Sequence, residues 1–224
     1  MKLKKPKFWD YKKPNIYAYL LYPISILLQI VNSLIKNNTK KFNIKTICVG
    51  NIYLGGTGKT SLCIKINQIL KKNNIKSCFV KKFHKNQNDE KKLLENNGKL
   101  FLSSSRSKSV LDAVSHNYDV AIIDDGLQDK SIQCDINFVC FNNINWIGNG
   151  MTIPSGPLRE NINKLKKYEH VFLNGNLENL DELKYQINQI NSKIVIHIGK
   201  YVPLNLSEFK QDDKYLVFSG IGNH

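Results

Sequence analysis

Between Gly50 and Ser61 the chain reads GNIYLGGTGKTS, a glycine-rich run that ends on Lys59 and Thr60. Backbone N–H groups in such a run can curl round phosphate oxygens at a helix N-terminus. In that setting a lysine reaches the β- and γ-phosphates and the following hydroxyl helps to hold Mg2+. The expected nucleotide-binding set is therefore Tyr53, Leu54, Gly55, Gly56, Thr57, Gly58, Lys59 and Thr60, for a nucleotide with β- and γ-phosphates together with Mg2+. The strict pattern wants glycine where Tyr53 stands, so the first turn has to be made differently, with Gly55 and Gly56 supplying the freedom. A second acidic piece follows at 119–126, DVAIIDDG, an apolar strand ending in Asp124 and Asp125. A kinase or nucleotide-hydrolysing fold places its Mg2+-ordering acid at such a strand end. Neighbouring strand residues face opposite ways, so the two acids are expected to do different jobs, one at the metal and one capping a turn. No Asn/Thr-Lys-x-Asp run follows the loop, which argues against a guanine-specific GTPase, and Leu54 stands where partitioning-type ATPases carry an extra lysine.

These residues need strands and helices to hold them, and the apolar periodicity supplies both. Buried strands are predicted at 45–50, 76–80, 119–124, 136–141, 170–173 and 194–198. Helices are predicted at 60–72, through Leu62, Ile66, Ile69 and Leu70, and at about 177–190, through Leu177, Leu180, Leu183, Ile187 and Ile190. A last strand is predicted at 214–218, running into the turn SGIGN at 219–223. Strands alternating with helices imply an α/β fold of P-loop NTPase type, a mainly parallel sheet flanked by helices.

The N-terminal region is built differently. Six lysines lie in the first thirteen residues, and then residues 16–35 carry no charge at all. Twenty uncharged residues are long enough to span a bilayer. Pro23, Ser25, Gln29, Asn32 and Ser33 argue against a span, and Trp9, Tyr17, Tyr19 and Tyr22 suit the headgroup region. A helix lying in the interface is expected, with a buried soluble helix as the alternative. No small-residue cleavage site follows, which argues against a signal peptide.

The net charge is +15, yet of 33 basic residues only Arg106 and Arg159 are arginine, and the lysines are scattered. A nucleic-acid surface clusters its charge and uses the guanidinium fork, so no nucleic acid is expected. Attraction to an anionic membrane surface remains in keeping with the charge. Five cysteines without a CxxC pair read as reduced, buried small residues rather than a metal or disulfide set.

Three further segments accompany the loop in order: FWDYKKPNIYAYLLYPISILL, DDGLQ at 124–128 and GNGMTIPSGPLRE at 148–160. With SGIGN they make the chain resemble the tetraacyldisaccharide 4'-kinase (lipid A 4'-kinase) family from about Phe8 to Asn223. The resemblance implies transfer of the ATP γ-phosphate to the 4'-hydroxyl of an acylated glucosamine disaccharide 1-phosphate. It also implies peripheral attachment to the cytoplasmic face of a bacterial inner membrane, with no obligate protein partner. The family's Gly-Asp-Glu-Pro motif corresponds to Asn88-Asp89-Glu90-Lys91, which makes Asp89 the candidate base, acting beside Lys59. Arg106, Asn149 and Arg159 fall in motif positions and become candidate substrate contacts.

The chain also departs from the family pattern. Lys81-Lys82-Phe83 stands where the family has Ser-Arg-Gly-Tyr, and Asp129 replaces a histidine after DDGLQ. Family members continue past SGIGN into a tail carrying a histidine that pairs with the catalytic acid, and none of the five histidines here matches it. The expectation is an N-terminal membrane-interface segment (1–41), a P-loop kinase core (42–165) and an incomplete second α/β unit (166–224). A switch-type P-loop ATPase and a non-catalytic nucleotide-binding remnant are the competing readings.

Overall fold

In KTICVG all residues but the first are buried, which puts β1 (Lys45–Gly50) in the middle of a sheet. The protein is described by a computed structural model covering residues 5–35, 38–83, 87–175, 178–200, 202, 206–210 and 213–216. The other strands are β2 (Ser77–Lys82), β3 (Leu100–Ser103), β4 (Val120–Asp124), β5 (Ile136–Asn142), β6 (His170–Asn174) and β7 (Val195–Gly199). They form one seven-stranded sheet in the order β3-β2-β4-β1-β5-β6-β7, and every pairing is parallel. The helices are α1 (Ile16–Leu34), α2 (Lys59–Lys72), α3 (Asn88–Asn97), α4 (Arg106–Ser115) and α5 (Leu180–Ile190).

Parallel strands bury both faces, and the core is divided accordingly. Leu62 and Cys63 of α2 and Leu94 of α3 pack with Val49, Phe79 and Ile122 on one face. Val110 and Ala113 of α4 pack with Val80, Ala121 and Ile123 on the other. Leu183 and Ile187 of α5 join Val139, Phe141 and Val171 towards the β7 end. The chain steps outward from β1 to β2 and β3, returns through β4, and then crosses to β5 on the far side of β1. The strand order thus reverses at β1, and open α/β sheets bind ligands outside the strand ends at such a point.

All seven strands were expected from periodicity except β3, which is only four residues long. Within residues 166–200, β6 and β7 extend the same sheet, with α5 between them in the chain. The strand expected at 214–218 is not formed in its described part, where 214–216 are exposed and unpaired. The SGIGN turn lies outside the described residues.

α1 begins with Asn15, whose side chain accepts a hydrogen bond from the Ala18 N–H at 3.1 Å. Only Ala18 and Ser25 of this helix are buried, so it is no core helix, and the alternative of a buried soluble helix is set aside. Ile16, Leu20, Leu27, Val31 and Leu34 lie exposed on the side opposite Ala18 and Ser25. The helix is long and apolar enough to cross a membrane. Ser25 and Gln29, polar residues that had argued against a span, are its anchors. Ser25 Oγ donates to the Thr152 carbonyl at 2.9 Å, and Gln29 Nε2 donates to Thr152 Oγ1 at 2.9 Å. The Trp9 indole N–H donates to the Pro154 carbonyl at 3.0 Å, and the Trp9 carbonyl accepts from the Asn149 N–H at 3.0 Å.

Gly148 makes the second of these contacts possible. Its φ is +56°, and a Cβ there would lie 2.2 Å from the Trp9 carbonyl oxygen. Gly148→Ala is therefore expected to cost about 1–3 kcal/mol, from a strained backbone and a displaced N-terminal segment. Thermal melting, together with proteolysis of residues 5–35, would measure it. An unchanged melting temperature and an uncut segment would contradict the packing.

Candidate active site

The residue before α2 is Gly58, in the left-handed region at φ 79°, and no side chain caps the helix. The first N–H groups of α2 are thus left for a ligand, which is how a helix N-terminus receives phosphate. Asn51 braces the loop from inside, its side chain donating to the Gly55 carbonyl at 3.2 Å. Asn51 is held in turn by Gln128, whose Nε2 donates to its carbonyl at 3.0 Å, so DDGLQ ends on a loop brace. Thr57 is 1% exposed, and its hydroxyl has no hydrogen-bond partner among the described residues. A buried unpaired hydroxyl inside a glycine-rich loop is a polar group that a ligand could satisfy.

Tyr53 answers the question raised by the missing glycine. It forms an isolated bridge with Leu158, while the neighbouring Leu54 N–H donates to the Pro157 carbonyl at 2.8 Å. Its ring is buried, and its hydroxyl donates to Asp10 at 3.0 Å. Burial, then the hydrogen bond and charge of Asp10, push the phenol pKa well up. The first turn of the loop is therefore fixed by GNGMTIPSGPLRE rather than by a glycine. Any contribution of Tyr53 to a phosphate cradle comes through its backbone.

The two acids meet different partners, Asp124 as the last residue of β4 and Asp125 just beyond it in a left-handed turn. Asp124, the last residue of β4, is fully buried and accepts from Lys81 Nζ at 2.6 Å. The same Oδ2 takes a long 3.4 Å contact from the Thr60 hydroxyl, and Cys63 Sγ lies 4.0 Å behind Oδ1. Burial and the charge of Asp124 keep the Cys63 thiol neutral by raising its pKa. Asp125 sits at φ 55° and turns the other way. Arg159 Nη1 donates to both its oxygens, at 2.9 and 3.1 Å, and Lys59 Nζ stands 3.8 Å away. Arg106 Nη2 donates to the Asp125 carbonyl at 2.6 Å, and Arg106 Nη1 pairs with Asp129 at 3.1 Å. Asp129, which departs from the family pattern, thus serves as the counter-ion of Arg106.

Burial alone would raise the Asp125 carboxyl, but the charge of Lys59, the charge and hydrogen bonds of Arg159, and Arg106 together hold it below its usual range. A carboxyl whose folded pKa is depressed lends stability that is present above its unfolded value, about 3.9, and is lost as pH falls through the folded value. Melting temperatures of the protein and of Asp125→Asn should differ at neutral pH and converge on acidification below about pH 5. Parallel curves would mean that the cations do not act on Asp125.

Lys59, Thr60, Asp124, Asp125 and Arg159 are thus brought together at the carboxyl ends of β1 and β4. Asn149 is a correction. Expected as a substrate contact, it is 5% exposed, its Nδ2 donates to the Ser155 carbonyl at 2.9 Å, and its Oδ1 accepts from the Met151 N–H at 3.1 Å. Its amide is consumed in shaping the loop. Asp89 lies exposed on the first turn of α3 and carries no ion pair among the described residues. Beside it, Glu90 accepts from Lys81 at 2.5 Å. Neither Lys81 nor Glu90 was singled out from the sequence. The signal in the sequence was slight, two lysines directly after the apolar run 78–80, of which Lys81 is buried and Lys82 exposed.

A family model described as tetraacyldisaccharide-1-P 4'-kinase matches residues 17–224. The chain belongs to this family. The Pelagibacter ubique tetraacyldisaccharide 4'-kinase is 62% identical over 226 residues, which take in all of this chain and 72% of that protein. The Rickettsia canadensis tetraacyldisaccharide 4'-kinase is 34% identical over 246 residues, again with all of this chain and 72% of that protein. Among solved structures, LpxK from Aquifex aeolicus in complex with ATP has a TM-score of 0.57 at 17% identity, covering 83% of this chain and 79% of that one. The signal recognition particle receptor FtsY from Elizabethkingia anophelis has a TM-score of 0.51 at 16% identity, covering 85% and 68%. At these identities the two structures establish the fold, a P-loop α/β sheet. The 4'-kinase family assignment rests on the sequence matches.

Proposed function

We propose that this 4'-kinase family member transfers the γ-phosphate of ATP to the 4'-hydroxyl of a tetraacyldisaccharide 1-phosphate, the lipid A precursor, while lying on an anionic membrane surface. The observation that carries the reading is the convergence of Lys59, Thr60, Asp124, Asp125 and Arg159 at the point where the strand order reverses. Phosphoryl transfer asks little covalent work of a protein beyond positioning and charge neutralisation. The free N–H groups of α2 and the loop cradle the phosphates, and Lys59 supplies a mobile charge beside them. Before nucleotide arrives, Asp125 holds Lys59 and Arg159 at the mouth of the loop, so that both cations are poised for an anion.

The donor set fits Mg2+. A buried carboxylate and a hydroxyl, Asp124 and Thr60, are the hard oxygen ligands that the ion prefers. Mg2+ bound there would neutralise phosphate charge. Asp125, committed to Arg159 and Lys59, is better read as organising the cations than as a ligand. Asp89, exposed on the first turn of α3 beside Glu90, is the candidate to accept the proton of the sugar hydroxyl. α1, with its apolar side turned outward and lysines around it, suits attachment at the cytoplasmic face of the inner membrane.

Incubation with Mg2+, γ-labelled ATP and tetraacyldisaccharide 1-phosphate in anionic vesicles tests this reading. Label should appear at the 4'-oxygen, and Asp89→Asn should slow transfer by about 10²–10⁴-fold with nucleotide affinity nearly unchanged. Hydrolysis of ATP with no label on the sugar would overturn it and favour a switch-type ATPase.

A further inference from the structure

Lys81 is a charged side chain placed where a charge is costly. It is 3% exposed, on a strand whose other residues up to that point are all buried. Moving an ammonium out of water is unfavourable unless its partners are close and well aligned. Here two carboxylates meet it: Asp124 Oδ2 at 2.6 Å and Glu90 Oε2 at 2.5 Å. Both distances are those of charge-assisted hydrogen bonds, so the buried ammonium is enclosed between two carboxylates. The first acid closes β4 and faces Thr60. The second sits on the first turn of α3, next to Asp89, and no side chain caps that helix. Among the described residues this ammonium is the one ion-pair link between α3 and the sheet.

We infer that Lys81 is a resident cation of the site, occupying the place between Asp124 and Glu90 where a divalent ion would otherwise sit, and thereby tying the first turn of α3 to the nucleotide loop. The chemistry follows from charge. Two carboxylate oxygens converging on one point make a hard-ion site. An ammonium there satisfies both without requiring a metal and leaves Asp124 with a share of its charge for one ion at Thr60. Lys81 is a positioning residue, since it acts through Asp124 and Glu90. The inference rests on the nucleotide-site assignment.

Manganese titration followed by electron paramagnetic resonance, with a non-hydrolysable ATP analogue bound, separates the two. The protein should bind one Mn2+ per nucleotide and Lys81→Met two, while Lys81→Arg, which keeps the charge, returns to one. A purely structural ion pair would leave the count unchanged. Glu90→Gln, which keeps Lys81 on Asp124, should speed amide exchange in the first turn of α3 by about tenfold or more while nucleotide affinity stays within about twofold. Failure of the protein to bind the analogue would remove the nucleotide-site assignment. If the analogue binds, the inference is overturned by two Mn2+ in the unaltered protein, or by one in Lys81→Met. Should Lys81→Met not fold, Lys81→Gln, which keeps a hydrogen-bonding group but not the charge, takes its place, with two Mn2+ expected and one overturning the inference.

Discussion

Lys59→Ala is expected to weaken Mg2+–ATP binding by more than tenfold, and the unaltered protein should show no preference for guanine nucleotides. The Lys59 side chain is only 15% exposed and stands 3.8 Å from Asp125, so its charge already lies at the mouth of the loop. A charge-assisted contact to phosphate is worth about 1.5–3 kcal/mol, or roughly 10- to 150-fold in a dissociation constant. Binding should not vanish, because the α2 N-terminus and the loop amides remain after the side chain is gone. Removing Lys59 also leaves the Asp125 carboxylate with fewer cations, Arg159 and the more distant Arg106, which adds some repulsion towards the incoming phosphates. Calorimetric titration of both proteins is the measurement, and equal affinities would sink the phosphate-loop assignment. A marked preference for GTP would revive the guanine-specific alternative.

The largest effect expected outside the loop concerns the membrane. Leu20, Leu27 and Val31 are 69%, 60% and 48% exposed and lie on the side of α1 away from Ser25. Burying each apolar side chain in lipid contributes about 1.5–3 kcal/mol. The triple change Leu20→Glu, Leu27→Glu, Val31→Glu should therefore lower affinity for anionic vesicles by at least about a thousandfold while leaving Ser25 and Gln29 in place. High salt should release the unaltered protein only in part, since it screens the lysines and not the apolar contact. Vesicle sedimentation with a melting curve for each variant would show it. Retention through both salt and alkaline washing would mean that α1 spans the bilayer.

What could be read from the sequence followed the strength of the local pattern. β1, β4 and α2 were legible because a run such as DVAIID or a glycine-rich turn has few other uses. α3, NDEKKLLENN, was missed because only Leu94 of its ten residues is buried, and so polar a stretch reads as surface. β3, LFLS, is too short for any period to show. In the site, the phosphate loop and the acid pair were legible as motifs. Alternation along a strand led to the expectation of different jobs, but Asp125 lies beyond β4, and it is a turn at φ 55° that brings its carboxylate to Lys59 and Arg159. Lys81 was hidden because β2 runs two residues further than its apolar stretch, and a lysine at a strand end is normally outside. Asn149 was misread because a motif records that a side chain matters and says nothing about whether it faces a ligand or its own loop.

The segment 148–160 touches two things at once. At one end Thr152, Pro154 and Ser155 hold Ser25, Gln29 and Trp9. At the other, Pro157, Leu158 and Arg159 are stitched to Ile52, Tyr53 and Leu54 of the phosphate loop. If α1 rides on a lipid surface, this segment works as a spacer that sets how high the phosphate donor stands above the plane in which an acylated sugar drifts. The sugar then has only two dimensions to search, and it meets the donor at one fixed altitude. Slack introduced between the two ends would leave vesicle binding and nucleotide binding intact when measured apart, and would spoil only their alignment.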